Sequence, residues 1–133
     1  MKNILILFIS IATLFSCSKP LNYSKDDENN PSGLKIRLSN VSQYDFQNIV
    51  VNTTTGDVSF NNLNSGQETE YKVFDRAYKY AFVELEIDGK TYTLQPMDYV
   101  GEPLLEKGNY TYQLDANNTV GQYTKLSLTL IED

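Results

Sequence analysis

The sequence predicts an all-β fold: a single antiparallel β-sandwich of seven or eight strands, spanning residues 34–133, behind a signal peptide and a disordered tether. Three observations predict it. Apolar residues recur with period two, and no window shows the 3.6-residue period of a helix. Turn signals rich in Gly, Asn, Asp and Pro separate the apolar stretches at regular spacing. Ten tyrosines, six phenylalanines and no tryptophan, with many threonines, lean toward strands, where aromatic and β-branched side chains fit a pleated surface. Roughly 100 residues can bury one core without disulfides or metal.

The first strand is Leu34 to Ser39, where Leu34, Ile36 and Leu38 share one face. Tyr44 to Thr53 is the second, with Phe46, Ile49, Val50 and Val51 as core material. A Thr-Thr-Gly-Asp turn near 54–57 leads to Val58-Ser-Phe60, and Asn61 to Gly66 read as another turn-rich stretch. Thr69, Tyr71 and Val73 then alternate with charged partners. Ala77 to Gln95 carries the strongest local signal. Asp88-Gly89 suits a type I′ turn, which needs positive φ at both central positions. Folding there sets Ile87 opposite Lys90, Leu85 opposite Tyr92, Val83 opposite Leu94, Glu86 opposite Thr91 and Glu84 opposite Thr93. One face is then apolar and the other polar, and a one-residue slip would destroy that agreement. Pro96 stops the second arm. After a loop from Met97 to Pro103, Gly108 to Asp115 and Gln122 to Ile131 read as the closing strands.

Leu105-Glu-Lys-Gly108-Asn-Tyr110-Thr-Tyr112 resembles the L-x-x-G-x-Y stretch of immunoglobulin-like sandwiches. There the tyrosine hydroxyl bonds to upstream backbone and locks a connection between sheets. The resemblance implies that Tyr110 is this corner. Transthyretin-like sandwiches carry similar glycine-tyrosine strands, so both topologies stay open.

The segment before the domain has a different character. Lys2 gives a positive start, and Ile4 to Phe15 run apolar except for Ser10 and Thr13. Such a run is about 18 Å long as a helix, against the ~30 Å hydrocarbon core, which suits a signal peptide over residues 1–16 and not a membrane span. It closes on Leu14-Phe15-Ser16-Cys17, which resembles the lipobox of bacterial lipoproteins: a leucine three before the cysteine, a small residue just before it, then the cysteine. The resemblance implies cleavage between Ser16 and Cys17, diacylglycerol on the Cys17 thiol and acylation, such as by palmitate, of the new amine. One chain binds marginally at about 0.8 kcal/mol per methylene, so stable anchoring takes two or three. An ordinary secretory signal with an unrelated cysteine is the alternative; it makes a coincidence of the chain's single cysteine standing at this position.

Residues 17–33 read as the lipidated cysteine and a flexible polar linker, too poor in apolar surface to offset the cost of ordering. Ser18, instead of aspartate, after the cysteine resembles an outer-membrane destination. Lys25-Asp26-Asp27-Glu28 resembles the acidic signal that exports Bacteroidota lipoproteins to the cell surface, although that signal normally follows the cysteine directly; a solvated charge cluster is the alternative.

The formal net charge is −6, which argues against nucleic acid as a partner. There is no histidine, and the one cysteine is the lipidation candidate. Ser-His-Asp and Cys-His catalysis are thereby excluded, as are His or Cys metal sites. No phosphate-cradling glycine motif occurs. Glu84 and Glu86 share a strand face predicted to meet solvent, where nothing would tune a catalytic pair. Asp115-Ala-Asn-Asn118 is a weak calcium-loop candidate and reads more simply as a turn. No cofactor, catalytic residue or metal is expected.

Tyr78, Tyr80 and Phe82 fall on the same outward face as Glu84 and Glu86. They form either an exposed aromatic surface or a patch covered by the second sheet or by the 97–101 loop. That loop, with Asp98 and Tyr99, is a second recognition candidate. The expected function is a non-enzymatic binding or scaffolding lipoprotein of the cell envelope. It would be held at the membrane by lipid and would bind an envelope protein or a glycan. The alternative is a surface glycan-binding accessory protein of a nutrient-uptake system.

Overall fold

The computed structural model describes residues 32–133. Ser16, Cys17 and the Lys25–Glu28 cluster lie outside them. Ser32 and Gly33, grouped with the linker by composition, pack on the domain. The Ser32 hydroxyl donates to the Phe74 carbonyl, and the Gly33 carbonyl accepts from the Gly108 amide at 2.9 Å.

Eight strands form: β1 (Leu34–Asn40), β2 (Phe46–Asn52), β3 (Asp57–Leu63), β4 (Lys72–Phe74), β5 (Phe82–Ile87), β6 (Lys90–Leu94), β7 (Gly108–Ala116) and β8 (Leu126–Glu132). No helix forms among the described residues. The strands make two four-stranded sheets, ordered β4-β1-β7-β8 and β3-β2-β5-β6. The immunoglobulin sandwich instead puts its first, second, fifth and fourth strands together and its third, sixth and seventh in the other sheet. That topology is excluded, leaving the transthyretin-like alternative. One pair departs from the expected antiparallel pattern: β1 and β7 run parallel over seven residues, from Leu34 beside Gly108 to Asn40 beside Leu114.

The β5–β6 hairpin has the predicted register at all five pairs. Asp88 and Gly89 take φ of 51° and 77°, as a type I′ turn requires. Val83, Leu85, Ile87 and Tyr92 are buried, while Glu84 is exposed. In β1 the predicted face, Leu34, Ile36 and Leu38, is fully buried. The Tyr110 hydroxyl donates to the Glu106 carbonyl at 2.9 Å, closing the turn before β7.

Two strands break simple alternation. Phe46 and Ile49, three residues apart, both point inward, because a bulge at Asn48 (φ 50°) inserts an extra residue. The bulge shifts the inward phase so that Val51 is buried and Val50, expected in the core, is only half-buried. In β4 the buried residue is Phe74, while Val73 faces solvent, one residue out of the phase read from Thr69, Tyr71 and Val73. Asn61 to Leu63, read as turn, complete β3 through a second positive-φ asparagine, Asn61.

The core lies between the sheets around Tyr112, Phe46, Ile36 and Leu85. Burial raises the Tyr112 phenol's pKa well above its ordinary value, and its hydroxyl donates to the Tyr78 carbonyl at 2.6 Å. Asn40, fully buried, donates through its side-chain amide to the carbonyls of Tyr44 (2.7 Å) and Leu63 (3.0 Å) and accepts from the Ser42 amide and hydroxyl. A buried polar group is tolerated when its partners are met in this way.

Candidate functional site

A concavity opens between the facing edges of the two sheets, on the β6/β8 side. Pro96 is the local cause. It cannot donate to a ladder, so β6 ends at Leu94 and the chain leaves the sheet. Leu94, Pro96 and Met97 then line the cleft together with Leu126, Ser127 and Leu128 of β8 and with Tyr80-Ala81, which lead into β5. The cleft holds about 490 Å³ and also takes Asp98 into its lining. Its lining is largely apolar, with Asp98 as its one ionisable carboxylate, which suits it to bind apolar side chains.

The five residues predicted as a binding surface come together here, though not as one flat face. Tyr78 and Tyr80 precede β5 and do not belong to the strand. Tyr80 is 41% exposed and lines the cleft with Asp98. Behind Pro96, Phe82 and Tyr99 line a smaller groove of about 180 Å³ with Asn52, Thr54 and Gln95. Tyr78 stacks on Tyr99 with ring centroids 4.6 Å apart. The 97–101 loop therefore lies on Tyr78, Phe82 stays half-buried at the smaller groove, and Tyr80 stays open. Burial raises the Tyr99 pKa, and the Phe82 backbone partly offsets that rise; its hydroxyl finds no hydrogen-bond partner of good geometry among the described residues. Asp98 shapes the loop by accepting from the Val100 amide at 2.8 Å. Met97, in the lining of the cleft, and Val100, farther along the loop, both project into solvent, at 103% and 87% exposure.

The Glu84–Glu86 pair lies on the outer face of β5, away from the cleft. Glu86 accepts from the Asn48 side-chain amide at 3.0 Å. Among the described residues, no group of three or more acidic side chains gathers at metal-binding distance.

Sequence reasoning missed Lys125. Its side chain is buried, and its ammonium donates to the carbonyls of Asn117 (2.7 Å) and Thr119 (3.1 Å). It also lies 4.3 Å from the Tyr44 ring centroid and 5.2 Å from that of Tyr92. Carbonyl oxygens and ring faces both attract a cation. The 115–118 segment, weighed as a calcium loop, thus turns a carbonyl toward a cation that the chain supplies itself. The tyrosines near Lys125 were visible in sequence; the fold that brings them together was not.

A second cluster crosses the outer face of the β1–β7 pair. Arg37 bonds Glu68 at 2.9 Å, donates to the Thr111 hydroxyl at 2.9 Å and lies 4.9 Å from the Tyr71 ring centroid. Asp133 accepts from Thr111 and Tyr71, each at 2.7 Å. Burial alone would raise the Asp133 pKa, but these hydrogen bonds and the Arg37 charge outweigh it and hold the carboxyl below its ordinary range. The cluster acts as a strap across β1, β7 and the 68–71 segment.

No family model matches the chain, and no curated protein matches it. It is similar in structure to a protein from Eubacterium rectale solved by NMR, with a TM-score of 0.52 and 17% identity, over 78% of this chain and 91% of that one. At that identity, the likeness shows the fold alone.

Proposed function

We propose that the protein is a lipid-anchored lipoprotein of a bacterial cell envelope, of Bacteroidota type, whose sandwich binds or scaffolds another envelope component without chemistry of its own. The cleft between β6 and β8 carries the binding half of this reading: an apolar recess of about 490 Å³ that takes in Asp98 and solvent-facing Met97. Exposed apolar surface of this kind marks interaction sites on folded domains. The anchor half is supported by Leu14-Phe15-Ser16-Cys17, and an outer-membrane location by Ser18.

The glycan-binding reading keeps one supporting observation, Tyr80 beside Asp98 at the cleft. An aromatic ring and a carboxylate are the groups a sugar needs. Tyr78 is occupied by its stack on Tyr99, however, so the flat three-ring surface is not available, and a protein partner fits the cleft better.

The test is recovery from the native envelope. Intact-mass analysis is expected to find the chain cut before Cys17 and carrying diacylglycerol; an uncut leader or a bare thiol refutes the anchor. Affinity capture with the lipidated protein is expected to recover a partner protein. Recovery of polysaccharide, lost on Tyr80→Ala, would favour the glycan reading instead.

A further inference from the structure

Four strands stand at sheet edges: β3, β4, β6 and β8. An uncovered edge is a template for another strand, and folded proteins usually blunt it. Three of these edges are blunted. β4 is three residues long. β3 is bulged, with two register shifts against β2. On β6, the outward Thr93 amide donates to the Gln122 carbonyl at 2.9 Å.

Among the described residues, β8 has none of these devices. It pairs β7 from Leu126 to Glu132 without a register shift, and it carries no proline, glycine or charge between Leu126 and Ile131. The phase of the ladder identifies its free groups. The Lys125 carbonyl accepts from the Asn117 amide, and the Asp133 amide donates to the Asn109 carbonyl. Odd-numbered residues therefore bond toward β7, and antiparallel alternation turns the N–H and C=O of Leu126, Leu128, Leu130 and Glu132 outward. The apolar cleft opens beside the first half of this edge.

We propose that the β8 edge and the adjoining cleft together receive an extended peptide segment of a partner protein by strand addition. The added backbone pairs with Leu126–Glu132, and its inward side chains enter the cleft. This deepens the binding reading above and rests on it. A row of unpaired backbone groups is matched by another backbone, and side-chain pockets beside it select alternate residues. The cleft selects apolar groups at those positions. Asp98 at one end and Glu132 at the other favour cationic flanks. A second copy pairing through its own β8 would supply the hydrogen bonds but not the filling. Its inward Leu126, Leu128 and Leu130 already pack on its own core. A strand not yet part of a sandwich supplies both.

The test titrates the full chain with a capped octapeptide in which valine and leucine alternate with threonine between terminal lysines. Amide exchange is read by NMR. Saturation is expected to slow exchange at Leu128 and Leu130 by about tenfold or more and to shift the signals of Leu94 and Met97. Leu128→Pro removes an outward amide, and Thr129→Lys places a charge on the edge. Each is expected to abolish the response, and Thr129→Lys to leave thermal unfolding unchanged. Unaltered exchange at millimolar peptide overturns the proposal, as does equal binding by Thr129→Lys. Concentration-dependent self-association that protects the same amides without peptide overturns it in favour of a second copy. Lipid analysis of the same preparation separates the two readings. A lipidated chain that ignores the peptide sinks strand addition alone, and an unlipidated chain that binds it sinks the anchor alone.

Discussion

On the β3/β4 side of the sandwich, Phe60 and Phe74 stack across the gap between the sheets with centroids 6.3 Å apart, and Lys72 lies 5.1 Å from the Phe60 ring while donating to the Ser59 carbonyl. On the β6/β8 side, the same gap is closed at one end by the Lys125 cage and left open at the other as the cleft. Both sides join the edges of the same two sheets. What differs is what the edge strands bring to the gap. β3 and β4 each send a large ring into it. β6 sends its ring, Tyr92, only to the end that Lys125 closes, then meets Pro96 and turns away, and β8 offers the rest of the gap only Leu126 and Leu128. Closure of a sandwich side is thus a property of a few side chains, and the side without them is where a partner can enter.

The comparison is broken most directly by truncating the two sides in turn. Phe74→Ala is expected to cost about 3–5 kcal/mol, as for a buried phenylalanine that leaves a cavity. Leu128→Ala, half-buried at the cleft, is expected to cost less than about 2 kcal/mol, because part of its surface already meets water. Urea unfolding of the full chain measures both. Equal costs would mean that the cleft is closed in solution and the two sides are alike.

The next effect belongs to the closed end of the open side. Lys125→Met keeps the length of the stem but removes the ammonium, leaving the Asn117 and Thr119 carbonyls without their donor. A loss of about 1–3 kcal/mol is expected, together with faster amide exchange in the 117–124 segment. If stability is unchanged, water replaces the ammonium and the cage does not seal that end.

How much of this was legible in the sequence depended on whether the signal was local. The β5–β6 hairpin was readable to the residue, because the Asp88-Gly89 turn and the apolar alternation from Val83 to Leu94 are independent and agree. The Tyr110 corner was readable because its hydroxyl reaches only four residues back, to Glu106. Val50 was misplaced because a bulge at Asn48 changes the phase, and asparagine tolerates positive φ without announcing it. The parallel β1–β7 pairing joins residues more than 70 apart and has no local signature. In the candidate site, Tyr80 and Asp98 could be named individually, but their meeting in one cleft depends on β8, which sequence proximity does not connect to either. Lys125 gave no signal of its own, since lysine is almost never buried without special partners and the sequence does not show those partners.

Between the two sides, the Arg37–Asp133 strap should contribute little. Asp133→Asn is expected to cost a few tenths of a kcal/mol at neutral pH, since the carboxylate is largely screened by solvent. Its pKa is depressed in the folded state. The contribution is therefore present above the ordinary carboxylate pKa of about 4 and fades as pH falls through the lower folded value. The unfolding midpoints of wild type and variant should converge in acid, and a gap that persists there would point to a cause other than the charge.

The smallest expected effect is the sharpest statement about the open side. Met97 projects fully into solvent beside the cleft, so Met97→Ser removes no buried surface and should change stability by less than about 0.5 kcal/mol. A flexible thioether could fold over the recess, and its loss would then carry the burial cost of a covered side chain, about 1.5–3 kcal/mol. A cost in that range would mean that the free protein closes its cleft with Met97. A partner strand would then have to displace this side chain before it could bind, so Met97→Ser would strengthen peptide binding while weakening the fold. No change in stability, combined with weaker binding, would instead make Met97 a wall that only the partner covers.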